Sequence, residues 1–133
     1  MKSSISLTWR RIPERYRLEG NECLSCKSSF FPPRAVCPKC RRKGKLSPKR
    51  YSGKGKIYSY TRIHVPPDGF ETQAPYFLAL IDLAEGARIL GQIVDCQEND
   101  ISEGANVESV FRMIQKDDPE GLIHYGFKFR IVK

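Results

Sequence analysis

Four cysteines confine what this chain can become. Cys23-Leu24-Ser25-Cys26 and Cys37-Pro38-Lys39-Cys40 are two C-x-x-C pairs with ten residues between them. Two intervening residues let one short knuckle aim two thiolates at a single ion, and four thiolates suit the tetrahedral preference of zinc. Residues 27–36 are long enough to fold back as a hairpin and carry the second pair over the first. Two disulfides are the competing arrangement. They belong to oxidising compartments, and a mostly polar start followed by Trp9-Arg10-Arg11 is not a secretory leader. A redox C-x-x-C is single and sits beside a βαβ pattern, which this sequence lacks. The expectation is a structural Zn2+ on Cys23, Cys26, Cys37 and Cys40, although four thiolates also suit iron. With all four positions filled by protein, such a metal holds structure and has no open site for chemistry.

A chain of 133 residues is one ordinary domain, or a small domain with a metal-stapled appendage. A ribbon of this kind has almost no core, so metal stands in for burial. No run of eighteen apolar residues offers a membrane span, and the cysteine usage points to the cytoplasm. Charge is unevenly distributed. Residues 1–56 carry 16 Lys and Arg against 3 Glu, a net of +13, whereas residues 57–133 carry 7 against 12 Asp and Glu, a net of −5. Zinc with four thiolates adds a net of about −2, which still leaves the first part strongly basic. That field attracts phosphates or an acidic partner surface, or simply keeps a small domain soluble.

The order of textures along the chain gives three parts. Residues 1–20 form an arm with Ile5, Leu7, Trp9, Ile12, Tyr16 and Leu18 set among basic residues. Pro13 interrupts any single helix, and a short helix over Glu14–Glu19 stopped by Gly20 is expected. Trp9 either packs back on the body or anchors a partner. Residues 21–48 are the metal module. Its Phe30-Phe31-Pro32-Pro33 stretch is extended and covers the metal or the junction with the next part. Residues 49–133 read as strands. Ile57–Val65 is rich in β-branched and aromatic residues. Tyr76–Leu83 is nearly all apolar and reads as buried on both faces, and Ala87–Val94 carries Gly91 as a bulge or bend. Val107–Ile114 sets Val107, Ser109, Phe111 and Met113 on one face. In Leu122–Val132, Ile123, Tyr125, Phe127, Phe129 and Ile131 alternate against His124, Lys128 and Arg130. Turns are expected at Glu85-Gly86, Asn99–Gly104 and Asp117–Gly121. The fold class is mainly β: five short antiparallel strands curled into a small barrel of OB type, with an SH3-like barrel as the second choice.

No catalytic set can be assembled. Ser52-Gly53-Lys54-Gly55 lacks the P-loop pattern and precedes a strand, not a helix. Cys96 has no nucleophile motif around it and reads as a small apolar residue, and His64 reads as a barrel-rim residue. The expectation is therefore not an enzyme. Tyr58, Tyr60, Arg62, Phe127, Lys128 and Arg130 interleave rings and bases as a single-stranded nucleic-acid binder would. The net negative charge of that half counts against nucleic acid. Arg41-Arg42-Lys43, the densest basic run, and Trp9 are the candidate contacts for a phosphate or a partner.

Several stretches together resemble a known family. They are Phe31-Pro32-Pro33-Arg34-Ala35-Val36-Cys37-Pro38-Lys39-Cys40, Ser52-Gly53-Lys54-Gly55-Lys56-Ile57-Tyr58-Ser59-Tyr60-Thr61, Pro75-Tyr76, and Glu85-Gly86-Ala87-Arg88-Ile89-Leu90-Gly91-Gln92-Ile93. In order and spacing they are similar to the zinc-ribbon plus OB-fold proteins filed as domain of unknown function thirty-five, from about residue 10 to the end. Lys27 and Arg41 depart from the glycine that commonly follows each knuckle, and the aromatic residue often found after the second knuckle is missing. The resemblance implies a rubredoxin-like ribbon and an association with acyl-CoA enzymes, notably thiolases. Similar archaeal members accompany acetoacetyl-CoA thiolase and hydroxymethylglutaryl-CoA synthase, early in the mevalonate route. The expected role is a non-catalytic scaffold that bridges the two, so that acetoacetyl-CoA passes on directly. Coenzyme A, which carries phosphates, would then be a candidate contact of the basic ribbon.

Overall fold

A computed structural model describes residues 4–116 and 122–132. The elements run α1 (Ile5–Arg10), α2 (Ile12–Arg17), β1 (Glu19–Cys23), β2 (Ser29–Phe30), β3 (Leu46–Arg50), β4 (Lys54–Ile63), β5 (Tyr76–Leu83), β6 (Arg88–Val94), β7 (Asn106–Lys116) and β8 (Ile123–Ile131). The expected turn at Asp117–Gly121 lies outside the described residues.

The arm holds two short helices where one was expected. Ser4 caps α1, its Oγ accepting the Leu7 N–H at 3.2 Å. As expected, no single helix spans the arm, which divides at Arg11 into α1 and α2. Pro13 falls in the first turn of α2, where its missing N–H costs nothing. The stop is Leu18, in the left-handed conformation at φ 51°, and not Gly20, which belongs to β1. A Cβ on Gly20 would sit 2.2 Å from Phe30 O and 2.7 Å from the Tyr51 ring. Close approach of β1 to β2, and not helix termination, is what requires glycine there.

The ribbon is a three-stranded antiparallel sheet in the order β2-β1-β3. The segment after the first knuckle folds back as expected, pairing Phe30 with Asn21 and Ser29 with Glu22. Asn21 is buried and holds the proline-rich stretch, donating from Nδ2 to Arg34 O at 2.7 Å. Residues 54–131 close a five-stranded barrel in the order β4-β5-β6-β8-β7, with β7 pairing back onto β4. This is the OB-type arrangement. Every barrel pairing is antiparallel except β6 with β8, which run parallel and pair only at Ile93–Phe129 and Val94–Arg130.

The core consists of Ile57, Phe77, Ala79, Ile81, Leu83, Ile89, Ile93, Ile101, Val107 and Phe129, joined by Leu18 from the arm and Tyr51 from the link to the ribbon. Three strand expectations need correction. β5 is not buried on both faces: Phe77, Ala79, Ile81 and Leu83 point in, and the residues between them are half-buried. Its near-continuous apolar run covers the outer face of a barrel as well as the core. Gly91 makes no bulge, since it stays in register with Ala79. A Cβ there would lie 2.6 Å from the Phe129 ring, so glycine makes room for that ring. The register shifts fall instead between Ile57 and Ser59 and between Met113 and Gln115. In β8, Phe129 is fully buried as the alternation predicts, but Tyr125 is exposed while His124 and Lys128 are buried. Along β7, Phe111 and Met113 are likewise exposed. The outer half of the β7–β8 hairpin extends past the barrel core, so the face that is interior at Val107 and Phe129 becomes surface further out.

Candidate metal centre and interaction surfaces

The two knuckles meet as the cysteine spacing requires. The four Sγ atoms lie within 4.8 Å of one another, with Cys23–Cys40 at 3.9 Å and Cys26–Cys37 at 3.6 Å. Four sulfurs about 2.3 Å from a central Zn2+ would stand about 3.8 Å apart, so the cage has the size of the ion. Each knuckle is closed by its own backbone. The Lys27 N–H donates to Cys23 O at 2.7 Å, and the Arg41 N–H donates to Cys37 O at 2.8 Å. Those bonds require left-handed backbone just after each second cysteine, and Lys27 and Arg41 adopt it at φ 59° and 53°. The two positions where the sequence departs from glycine are therefore the two that glycine would suit best.

Without a cation, Cys23, Cys26 and Cys40 do not titrate alike. The Cys23 thiol is drawn down to about 6, chiefly by the Cys26 backbone N–H, and Cys26 is lowered by the Ser28 hydroxyl. Cys40 is pushed up to about 12, first by the Cys26 side chain and then by burial. Four thiolates this close cannot all carry charge by themselves, and a dication removes the conflict. A zinc ribbon with four cysteines placed for a structural metal ion is thus the first site, and all four ligand positions are protein sulfur.

Arg41, Arg42 and Lys43 are exposed on the second knuckle. Carboxylates are scarce around them. The three Glu of residues 1–56 are taken by Arg11–Glu14, Arg17–Glu19 and Lys49–Glu22 pairs, and no ion pair with Arg10, Arg15, Lys27 or residues 41–43 occurs among the described residues. The barrel is the reverse. Arg62, Arg88, Arg112 and Arg130 each hold a carboxylate, from Glu98, Asp82, Asp95 and Glu108 in turn. The charge asymmetry read from composition is therefore also an asymmetry of pairing.

Trp9 does not pack back on the body. It is 74% exposed, Ile5 is 77% exposed, and α1 buries no residue at all. Sequence reasoning singled out Trp9 and missed Ile5, although their i, i+4 spacing on a capped helix was a usable signal. A second apolar surface also went unread. Tyr16, Phe111 and Tyr125 form a partly exposed cluster, with Phe111 stacked on Tyr125 at 5.5 Å and Tyr16 edge-on to Phe111 at 5.1 Å.

Phe31 covers the junction. Its ring meets Tyr51 at 6.4 Å and Phe127 at 5.4 Å, edge-on in both cases. Tyr51 Oη lies 2.9 Å from Phe30 O and 3.2 Å from Asn21 O, donating to one carbonyl at a time. Gly53 takes φ 82° at the turn into β4, and no helix follows it, in keeping with a turn rather than a phosphate loop. His64 is exposed past the end of β4. Cys96 packs against the core, and burial, then Asp100 and Asp95, hold its thiol above its ordinary value, the opposite of what a nucleophile needs. No helix among the described residues is long and apolar enough to cross a membrane.

Comparison with known proteins matches two family models to the chain. Residues 10–46 match a family model described as the rubredoxin-like zinc ribbon domain of ChsH2, and residues 49–112 match the C-terminal OB-fold domain of ChsH2. A DUF35 domain-containing scaffold protein of Methanothermobacter thermautotrophicus is 52% identical over 130 residues, covering 98% of both chains. A protein of the same description from Methanocaldococcus jannaschii is 52% identical over 126 residues, or 95% of this chain and 89% of that one. A probable enoyl-CoA hydratase alpha subunit of Thermomonospora curvata is 33% identical over 74% of this chain, which spans 30% of that longer protein. Among solved structures, the Ltp2-ChsH2(DUF35) aldolase superposes with a TM-score of 0.70 at 29% identity, covering 98% of this chain and 96% of that one. With a closed four-cysteine ribbon joined to an OB barrel and a full-length match at this identity, the chain belongs to the DUF35 family of zinc-ribbon plus OB-fold proteins.

Proposed function

We propose that this protein is a non-catalytic scaffold subunit of an acyl-CoA enzyme complex, bridging acetoacetyl-CoA thiolase and hydroxymethylglutaryl-CoA synthase. The observation that carries the reading is α1, a capped helix that buries none of its residues and presents Ile5 and Trp9 to solvent beside exposed Arg10. An exposed tryptophan flanked by arginine is the composition of an interface anchor. The names of the relatives support it: two are called scaffold proteins, one is a hydratase subunit, and the solved structure pairs a DUF35 chain with an aldolase. The exposed cations of Arg41, Arg42 and Lys43 suit an acidic enzyme surface or the phosphates of coenzyme A. A bridge of this kind hands acetoacetyl-CoA from an uphill condensation to a downhill one. The single-stranded nucleic-acid reading has less support, because all four arginines of the barrel half are already paired with carboxylates.

Co-expression of this chain with the thiolase and synthase of the same organism tests the proposal. One assembly containing all three proteins is expected on size exclusion, with the two enzymes eluting apart when this chain is left out. Equal association of the enzymes without it, or elution of this chain alone, would remove the bridging role.

A further inference from the structure

The barrel closes between β6 and β8 through a short seam. β6 pairs with β8 only at Ile93–Phe129 and Val94–Arg130, and no pairing joins Arg88–Gly91 to β8 among the described residues. A cleft of about 560 Å³ lies there, lined by Leu78, Leu90, Gln92, Tyr125, Phe127 and Lys128. Its walls are mostly apolar, and Leu90 is 57% exposed. Two independent observations bear on what it holds.

The first is Lys128, whose residue is only 5% exposed. Its ammonium donates one hydrogen bond, to Gln73 Oε1 at 2.6 Å. Gln73 is itself held by donation from Nε2 to Ile114 O at 2.8 Å, so its acceptor is fixed toward the lysine. No carboxylate pairs with Lys128 among the described residues, and nearby Arg112 is occupied by Asp95. Burial, and then Arg112, lower its proton affinity. An ammonium this buried, with one hydrogen bond and no carboxylate beside it among the described residues, lacks the partner that buried charges ordinarily have.

The second is the free edge of β6. Along Arg88–Gly91 the strand pairs with β5 on one side, and on the other side no backbone pairing is found among the described residues. Alternate N–H and C=O groups of that stretch therefore face the cleft.

We infer that the β6–β8 cleft is a docking groove for an extended segment of a partner polypeptide, which adds to the β6 edge, lays apolar side chains on Leu90 and Phe127, and sets one acidic side chain on Lys128. A small carboxylic acid would satisfy Lys128 but leave the edge unpaired, and an apolar peptide would do the reverse. A strand carrying an Asp or Glu does both. The identity of that partner rests on the scaffold reading; the chemistry of the groove does not.

The test uses the isotope-labelled, zinc-loaded full chain and two acetylated, amidated octapeptides that alternate valine and threonine. One has a central glutamate and the other glutamine at that position. The expected result is amide shifts at Leu90–Gln92, with the glutamate peptide binding at least ~10-fold more tightly than its glutamine twin, about 1.4 kcal/mol. Lys128→Met should abolish that difference. If the variant does not fold, the peptide pair on the unaltered chain still decides. No shift in the cleft, or equal binding of the two peptides, overturns the inference. So does equivalent binding of hexanoate, which would mark a small-molecule site, or of single-stranded oligothymidylate at the same residues. Failure here would leave the three-protein elution test of the scaffold untouched.

Discussion

Replacing Lys27 and Arg41 by glycine should tighten the zinc site. Both residues hold left-handed backbone, at φ 59° and 53°, to close the knuckle bonds onto Cys23 O and Cys37 O. A side chain in that conformation costs about 1–2 kcal/mol, since its Cβ crowds the following carbonyl. Glycine removes that cost but brings about 0.5–1 kcal/mol of extra entropy loss on ordering. The net gain is about 0.5–1 kcal/mol at each knuckle, and about 1–2 kcal/mol for Lys27→Gly with Arg41→Gly. Where a ribbon orders with its metal, that gain reads out as metal affinity, about 5- to 30-fold in the apparent zinc dissociation constant.

The assay is competition for zinc between the full chain and a chromophoric chelator at fixed pH. Lys39→Gly supplies the sign control. Lys39 is exposed on the second knuckle and has no positive φ, so glycine there brings only the entropic loss and should weaken binding slightly. An unchanged or weakened affinity in the double variant would refute the strain argument, as would equal behaviour of Lys39→Gly. The same variant separates stability from recognition. If Arg41 contacts a partner, Arg41→Gly should bind zinc more tightly while holding the enzyme complex less well.

Three further outcomes are expected. Gly91→Ala drives a methyl to within 2.6 Å of the buried Phe129 ring and should destabilise the barrel by about 1–3 kcal/mol in urea denaturation, with partial recovery in Gly91→Ala/Phe129→Leu. Trp9→Ala should leave thermal stability within about 0.5 kcal/mol, because the side chain is 74% exposed, and should lower affinity for the enzyme partners by about 2 kcal/mol in calorimetry. Cys37→Ser should release the metal, measured by elemental analysis, and cost partner binding before it unfolds the barrel, measured by circular dichroism.

The ribbon and the barrel were legible because their signals are local. C-x-x-C spacing needs no knowledge of the rest of the chain, and β-strand alternation reports the core wherever a strand actually crosses it. Phe129 and Val107 obey it. Tyr125, Phe111 and Met113 do not, because hairpin length is invisible to periodicity, and past the core the same alternation points at solvent. Lys128 was misread for the same reason in reverse. The sequence shows a base on the polar face of a strand, and only the seam between β6 and β8, set by a two-residue parallel contact, turns that face into a cleft wall. Gly20 and Gly91 were read as backbone signals, a helix stop and a bend, when each is a gap left for a ring or carbonyl contributed from far along the chain.

The junction alters what the metal can be said to do. Leu18 and Tyr51 belong to the same core as Ile57 and Phe129, and Phe31 lays its ring against Tyr51 and Phe127. The ribbon is therefore not hung on the barrel by a linker; three aromatic rings and one hydroxyl continue the core into it. Burying one face of such rings, roughly 150 Å² in all, stabilises the pair by about 4 kcal/mol. Loss of metal then acts in sequence. The two knuckles part first, since each is closed by its own backbone bond but, apart from Leu24 N–H to Lys45 O and Ser25 Oγ to Lys43 O, it is the metal that joins one to the other. The Tyr51 hydroxyl next loses the Phe30 and Asn21 carbonyls, and the barrel loses the cover over Phe127 without losing its own inward face. On this account the metal fixes the basic knuckles relative to the barrel, and any recognition that uses those knuckles should fall with the metal.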